Sequence, residues 1–198
     1  MIKNFSTLVE VSARHIHLSE NDLTKLFGKN FKLKPLRPVS QPNQYAAYKT
    51  VNILGPKGTL SNVRIVGPTR PKTQLEISIT DSFKLGITAM LRTSGDLRGT
   101  KGGVQLVGPR GSVKIKNGVI IARRHLHIQP ALAKKYGLKH MDRVSVHIPG
   151  KRSVVFNQVV VRSRENIDSL SFQIDTDEGN AAGIKGKGRG TVHVGSEL

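Results

Sequence analysis

One short pattern is written twice in this chain, as Ser12-Ala13-Arg14-His15-Ile16-His17-Leu18 and as Ala122-Arg123-Arg124-His125-Leu126-His127-Ile128. Each copy sets an arginine before His-x-His, and each leads into a helix-like segment closing at glycine, Phe27-Gly28 and Tyr136-Gly137. A pattern repeated half a chain apart with its flanks intact constrains the fold to an approximate internal duplication. On a strand, alternate side chains share a face, so the histidines of each pair project together about 7 Å apart. Two imidazoles at that spacing can share one metal ion. A lone His-x-His serves equally well as a structural pair bonded to backbone carbonyls; its duplication in matching contexts favours the metal. Four of the seven histidines lie in these pairs, which argues against coincidence.

The rest of the chain alternates short apolar runs with Gly and Pro turns: Thr50–Leu54, Leu60–Val66, Val104–Val107, Val113–Ile115, Val119–Ile121, Val144–Ile148 and Val154–Val161. Short β-rich runs with frequent turn signals are the pattern of small barrels or sandwiches. Asn117-Gly118 is the strongest hairpin turn, since both residues tolerate positive φ. Helices are few. Ser19 offers an N-cap to a stripe of Leu23, Leu26 and Phe27, and Gln129-Pro130 opens a second helix ending near Gly137. The stretch Asp81–Met90 fits either a strand or a short helix. The expected fold is therefore mainly β: two related β-barrels with short capping helices, the histidine pairs lying near the barrel junction.

Composition bounds the chemistry. With no cysteine, disulfides and a cysteine nucleophile are excluded, and any metal must be held by nitrogen and oxygen. Zinc suits imidazole with carboxylate, and a catalytic site keeps one position open. The two pairs could close one four-histidine site or seed two; two is favoured, because a closed shell leaves no place for substrate. No run approaches a membrane span. A net charge of +19 points to polyanionic company, either nucleic acid or a nucleotide-bearing cofactor, or equally to a basic solvated surface with no ligand. With no Trp, three Tyr and six Phe, stacking platforms for single strands are sparse.

Among the scarce acids, Glu76 stands in an apolar strand-like run and could complete a metal site, or could be an edge-strand charge. Arg70, between Pro68 and Pro71, is either a rigid anion clamp or a turn arginine. Ser94, beside Gly95, has no Ser-His-Asp context and reads as a polar contact. The alternation around Lys185 and Lys187 could cradle phosphates through backbone N–H groups, or could be a flexible basic loop.

Together, Ser-Ala-Arg-His-Ile-His-Leu-Ser, Gly-Pro-x-Arg-x-x-x-Gln-x-Glu, Arg-x-Ser-Gly-Asp, Arg-His-Leu-His and Ile-Asp-Thr-Asp-Glu-x-Asn-Ala resemble the phosphate propanoyltransferases, the phosphotransacylases of propanediol utilisation. The resemblance runs in order from about Leu8 to Gly195. It implies two barrels, the first discontinuous (1–13 plus 123–198) and the second made of 14–122. It further implies one or two zinc ions and the reaction acyl-CoA + phosphate ⇌ acyl phosphate + CoA. On that basis His15, His17 and Glu76 bind one zinc, and His125 and His127 a second. Arg70 holds phosphate, Ser94 lines the site, and Lys185 and Lys187 are the candidates for CoA. The family pattern has a third zinc-binding histidine where this chain has Gln173, a poorer ligand than imidazole. His147 and His193 are candidates to replace it.

The expected activity is thus a zinc-dependent phosphate acyltransferase acting on a short-chain acyl-CoA, with no covalent enzyme intermediate. The alternatives are a basic nucleic-acid-binding protein on the same scaffold and a zinc-dependent acyl-CoA hydrolase. About seven residues precede the first strand, with no room for an encapsulation helix, so a cytoplasmic enzyme is expected. Exposed sheet edges could support a homodimer.

Overall fold

The computed structural model describes residues 3–166 and 168–195. In chain order its first half contains β1 (Lys3–Val11), β2 (His15–His17), α1 (Glu20–Phe27), β3 (Pro35–Pro38), β4 (Tyr45–Leu54), β5 (Thr59–Gly67), β6 (Gln74–Glu76), α2 (Ile79–Leu85) and β7 (Met90–Arg92). Next come β8 (Val104–Val107), β9 (Ser112–Ile115), β10 (Val119–Ala122), β11 (His125–His127) and α3 (Pro130–Tyr136). The chain ends with β12 (Arg143–Ile148), β13 (Val154–Arg162), β14 (Ser171–Ile174), α4 (Thr176–Ala182) and β15 (Lys187–Val194). The fold is mainly β with four short helices, none long and apolar enough to cross a membrane.

Two compact units form. One takes the described residues up to Ser12, the short stretch Ser40–Pro42, and those from Arg123 onward. Its six strands close a barrel in the order β1-β14-β11-β13-β12-β15. Alternation along these strands sends Phe5, Val9, Leu126, Val146, Val159, Phe172 and Val192 into one apolar core. Ser40–Pro42 is tied to it by hydrogen bonds: Gln41 Nε2 donates to Ser171 Oγ at 2.9 Å, and Ser169 Oγ donates to Ser40 O at 2.7 Å.

The other unit, Ala13–Val39 with Asn43–Ala122, carries a nine-stranded sheet in the order β7-β10-β6-β2-β5-β4-β8-β9, with β3 attached to β4. Among the described residues the end strands β7 and β9 are not paired with each other. Its core includes Ile16, Leu26, Ile53, Ile65, Leu75 and Leu106.

Local signals account for the helices. Ser19 accepts from Asp22 N at 3.2 Å to cap α1, and α3 starts at Pro130 and stops at Gly137 in the left-handed region. The ambiguous Asp81–Met90 stretch resolves into the end of α2, nucleated by the Ser78–Asp81 capping box, then a loop into β7. Asn117-Gly118 does not make the expected hairpin, because β9 pairs with β8 while β10 leaves to run parallel with β6 and β7. Gly118 serves a tertiary contact instead. Its φ is +97°, and a Cβ there would lie 2.5 Å from Thr73 O.

Candidate active site

Strand β2 gives Ile16 to the core and therefore turns His15 and His17 to the opposite face. Antiparallel β6 sets Glu76 opposite His15 and Gln74 opposite His17. His15 Nε2 lies 3.7 Å and His17 Nε2 3.9 Å from Glu76 Oε1. The other ring nitrogens are engaged, His15 Nδ1 with Ala13 O at 2.9 Å and His17 Nδ1 with Val66 O at 3.0 Å. A carbonyl oxygen only accepts, so each Nδ1 carries the hydrogen and each Nε2 offers its lone pair. Among the described residues these three form the one group of three or more His, Cys, Asp or Glu donors that could hold a metal ion, all within 4.8 Å of one another. A hard carboxylate with two imidazoles of fixed tautomer fits zinc.

The surroundings sharpen that donor set. Burial, then the charges of His15 and Arg70, hold His17 well below its ordinary pKa, outweighing Glu76 and the Val66 carbonyl. Burial alone would push Glu76 up, but His15, His17, the Ser94 hydroxyl and Arg70 together bring it down to about 2. Ser94 Oγ donates to Glu76 Oε1 at 2.7 Å, Gln74 Nε2 donates to the same oxygen at 2.5 Å, and Gly95 N donates to Gln74 Oε1 at 2.9 Å. Arg70 reaches Gln44 Oε1 at 3.5 Å, and its charge is felt by both His17 and Glu76. Gln74, the glutamine of the Gly-Pro-x-Arg-x-x-x-Gln-x-Glu motif, is given no role by the sequence; its position two residues before Glu76 on a strand is the available signal.

The second pair repeats this frame. Leu126 enters the barrel core, and His125 and His127 turn outward, buried, opposite Gln173 and Ser171 of antiparallel β14. His125 Nδ1 bonds Arg123 O at 2.7 Å and His127 Nδ1 bonds Asp168 Oδ1 at 2.5 Å. Both Nε2 atoms then carry lone pairs, yet they face each other at 3.0 Å. Only a proton or a metal ion between them relieves that repulsion, so these residues too fit a cation. Burial, with Arg162 and Arg164, lowers the pKa of His127 against the pull of Asp168. Asp168 is held well below the usual carboxylate range: its hydrogen bonds to His127 and Arg164 outweigh the effect of burial. No sequence pattern marked Asp168, which reaches the site from a loop.

Gln173 donates from Nε2 to Ser40 Oγ at 3.3 Å. His147 and His193 stand on β12 and β15, neither of which pairs with β11, and His147 is bonded to Ser153. Lys187 Nζ lies 3.1 Å from Glu10 Oε1, and Glu10 sits beside Gln173 in the β1–β14 register. Lys185 is exposed in the loop before β15.

The β-barrel unit and the sheet unit each present an oriented histidine pair, and the proteins this chain is similar to are acyltransferases. The family model for phosphate propanoyltransferase matches residues 8–185. Proteins named phosphate propanoyltransferase align closely. That of Thermotoga maritima is 49% identical over 176 residues, 88% of this chain and 83% of the relative. That of Rhodopseudomonas palustris is 45% identical over 181 residues, 91% and 79%. That of Sebaldella termitidis is 42% identical over 186 residues, 94% and 87%. The chain belongs to the phosphate propanoyltransferase family and is a phosphate acyltransferase.

Proposed function

We propose that this enzyme interconverts a short-chain acyl-CoA and phosphate with acyl phosphate and CoA, using zinc held by His15, His17 and Glu76. The observation that carries the reading is the convergence of two Nε2 lone pairs on the Glu76 carboxylate, with both Nδ1 atoms already committed to carbonyls. His125 and His127, with Gln173 as a weaker oxygen donor, would hold a second ion; their facing Nε2 atoms support it.

In the forward direction a phosphate oxygen attacks the thioester carbonyl, a C–O bond forms, the C–S bond breaks, and CoA leaves as thiolate. Zinc held by His15, His17 and Glu76 would supply Lewis-acid stabilisation to the leaving sulfur. Arg70 holds and orients phosphate through its planar fork, offsetting the charge repulsion of an anionic nucleophile. Ser94 and Gln74 fix one oxygen of Glu76, so that carboxylate is pre-oriented when substrate arrives. The Lys185–Lys187 segment offers cationic groups to the phosphates of CoA.

The test measures CoA thiol release from acetyl-CoA and propanoyl-CoA, with and without phosphate, on protein of known zinc content. Phosphate-dependent release that a chelator abolishes and zinc restores is expected, with Arg70→Ala raising the KM for phosphate. Equal release without phosphate would mean a hydrolase and sink the reading.

A further inference from the structure

Both histidine strands are entered through an arginine that reaches the same place in its own unit. Arg14 grips Asp81 with two bonds, Nε to Oδ2 at 2.9 Å and Nη2 to Oδ1 at 2.7 Å. Asp81 is the third residue of α2, the helix that follows the strand bearing Glu76, and it completes the capping box with Ser78. Arg124 Nε lies 2.8 Å from Glu178 Oε1. Glu178 is the third residue of α4, the helix that follows the strand bearing Gln173, and completes the capping box with Asp175. In each unit, then, the arginine before the leading histidine holds the helix that follows the strand lying opposite that histidine.

Capping alone does not call for these arginines. Each box is already closed by its own reciprocal bonds, Ser78 with Asp81 and Asp175 with Glu178. The arginine side chains are 41% and 36% exposed, where an ion pair contributes little to stability. What the two pairs share is a neighbouring bond. The peptide joining Ala13 to Arg14 carries the carbonyl that accepts from His15 Nδ1, and the peptide joining Arg123 to Arg124 carries the one that accepts from His125 Nδ1. Tethering the arginine fixes the plane of that peptide. It also fixes that peptide relative to the opposite strand, through the helix cap.

We infer that Arg14 and Arg124 are positioning residues. Each locks the turn into its histidine strand against a capping acid, and so sets the tautomer and ring orientation of the histidine that follows. The atom offered to a ligand is thereby always Nε2, and its distance to Glu76 or Gln173 is held from the far side. This inference rests on the metal reading above only for the consequence, not for the tautomer itself.

The experiment uses full-length protein with ¹⁵N-labelled histidine, metal-free and zinc-titrated, as wild type, Arg14→Met, Arg124→Met and Arg14→Lys. Long-range ¹H–¹⁵N spectra read the tautomer of His15 and His125, and competition with a chromophoric chelator reads zinc affinity. Arg14→Met is expected to mix the tautomers of His15 and weaken zinc at that site by about 10- to 100-fold, leaving His125 unmoved. Arg124→Met is expected to do the reverse, and Arg14→Lys to fall between. Should Arg14→Met fail to fold, Asp81→Asn, which keeps a cap acceptor, is read in the same way. Unchanged tautomers and affinities, with only a lower melting temperature, would overturn the inference and leave ordinary surface ion pairs. Wild-type protein that binds no zinc would defeat the metal reading, while the tautomer spectra would still decide the arginines' role.

Discussion

Replacing Glu178 by Gln removes one half of a partly buried ion pair and is expected to cost the fold nothing at neutral pH. Burial pushes the Glu178 carboxyl up, Asp175 and Asp177 add to the effect, and Arg124 only partly offsets it, leaving the group at about 6 against an ordinary 4.5. A carboxyl raised in the folded state binds protons more tightly there than in the unfolded chain. Its contribution is therefore most favourable below the unfolded value and is lost as pH rises through the folded one. A shift of that size corresponds to about 2 kcal/mol, nearly all of which falls between roughly pH 4 and pH 7. Glutamine keeps an oxygen for the helix cap, and the half-exposed Arg124 can be solvated. Urea unfolding followed by far-UV circular dichroism across that window should show the wild type losing about 2 kcal/mol relative to Glu178→Gln, with the variant equal or more stable at neutral pH. Parallel curves, or a variant weaker at pH 7 than at pH 4 relative to wild type, would refute the argument.

Two further outcomes follow from geometry. Gln173→His puts a third imidazole opposite His125 in the β11–β14 register, and should tighten zinc at the second pair by at least tenfold in a chelator competition, with His15 and His17 unaffected. Gly118→Ala meets both a positive φ and a Cβ 2.5 Å from Thr73 O, and should destabilise the sheet unit by about 2 kcal/mol or more, read as a lowered urea midpoint.

What the sequence made legible was local. Ser19, Pro130, Gly28 and Gly137 announce the ends of α1 and α3 because caps act within a single turn. The histidine pairs announce themselves because a strand places alternate residues on one face whatever lies beside it. Pairing partners are another matter. Asn117-Gly118 has the chemistry of a hairpin turn, but turn propensity decides only the bend, and the parallel partners of β10 won the strand that follows. The acidic run Asp175-Thr176-Asp177-Glu178 holds a capping box that reads as a helix start in retrospect, with Asp at the cap and Glu three residues on. Asp168 carries no local mark, since its role comes from a loop brought to His127 by the barrel around it.

The two histidine pairs share a frame and differ in where their negative charge sits. In each, the histidine strand pairs parallel with a long strand, β5 or β13, and antiparallel with a short one, β6 or β14, which leads into a boxed helix. His15 and His17 spend their Nδ1 atoms on neutral carbonyls and face a carboxylate, Glu76, on the Nε2 side. His125 and His127 face the neutral Gln173 across the strands and take their carboxylate, Asp168, on the Nδ1 side of His127. Each pair thus has one buried carboxylate in contact, bound directly to the ligand side in one unit and acting through an imidazole in the other. A carboxylate accepting from Nδ1–H makes the ring a stronger donor at Nε2, which offsets part of what a neutral amide in the third position loses. Arg164 draws on the same carboxylate at 2.9 and 3.0 Å and limits that gain. On the proposed metal reading the second pair would be the weaker cation site, and the affinity gap between the two should narrow most on Gln173→His, the change that alters the facing residue and leaves Asp168 in place.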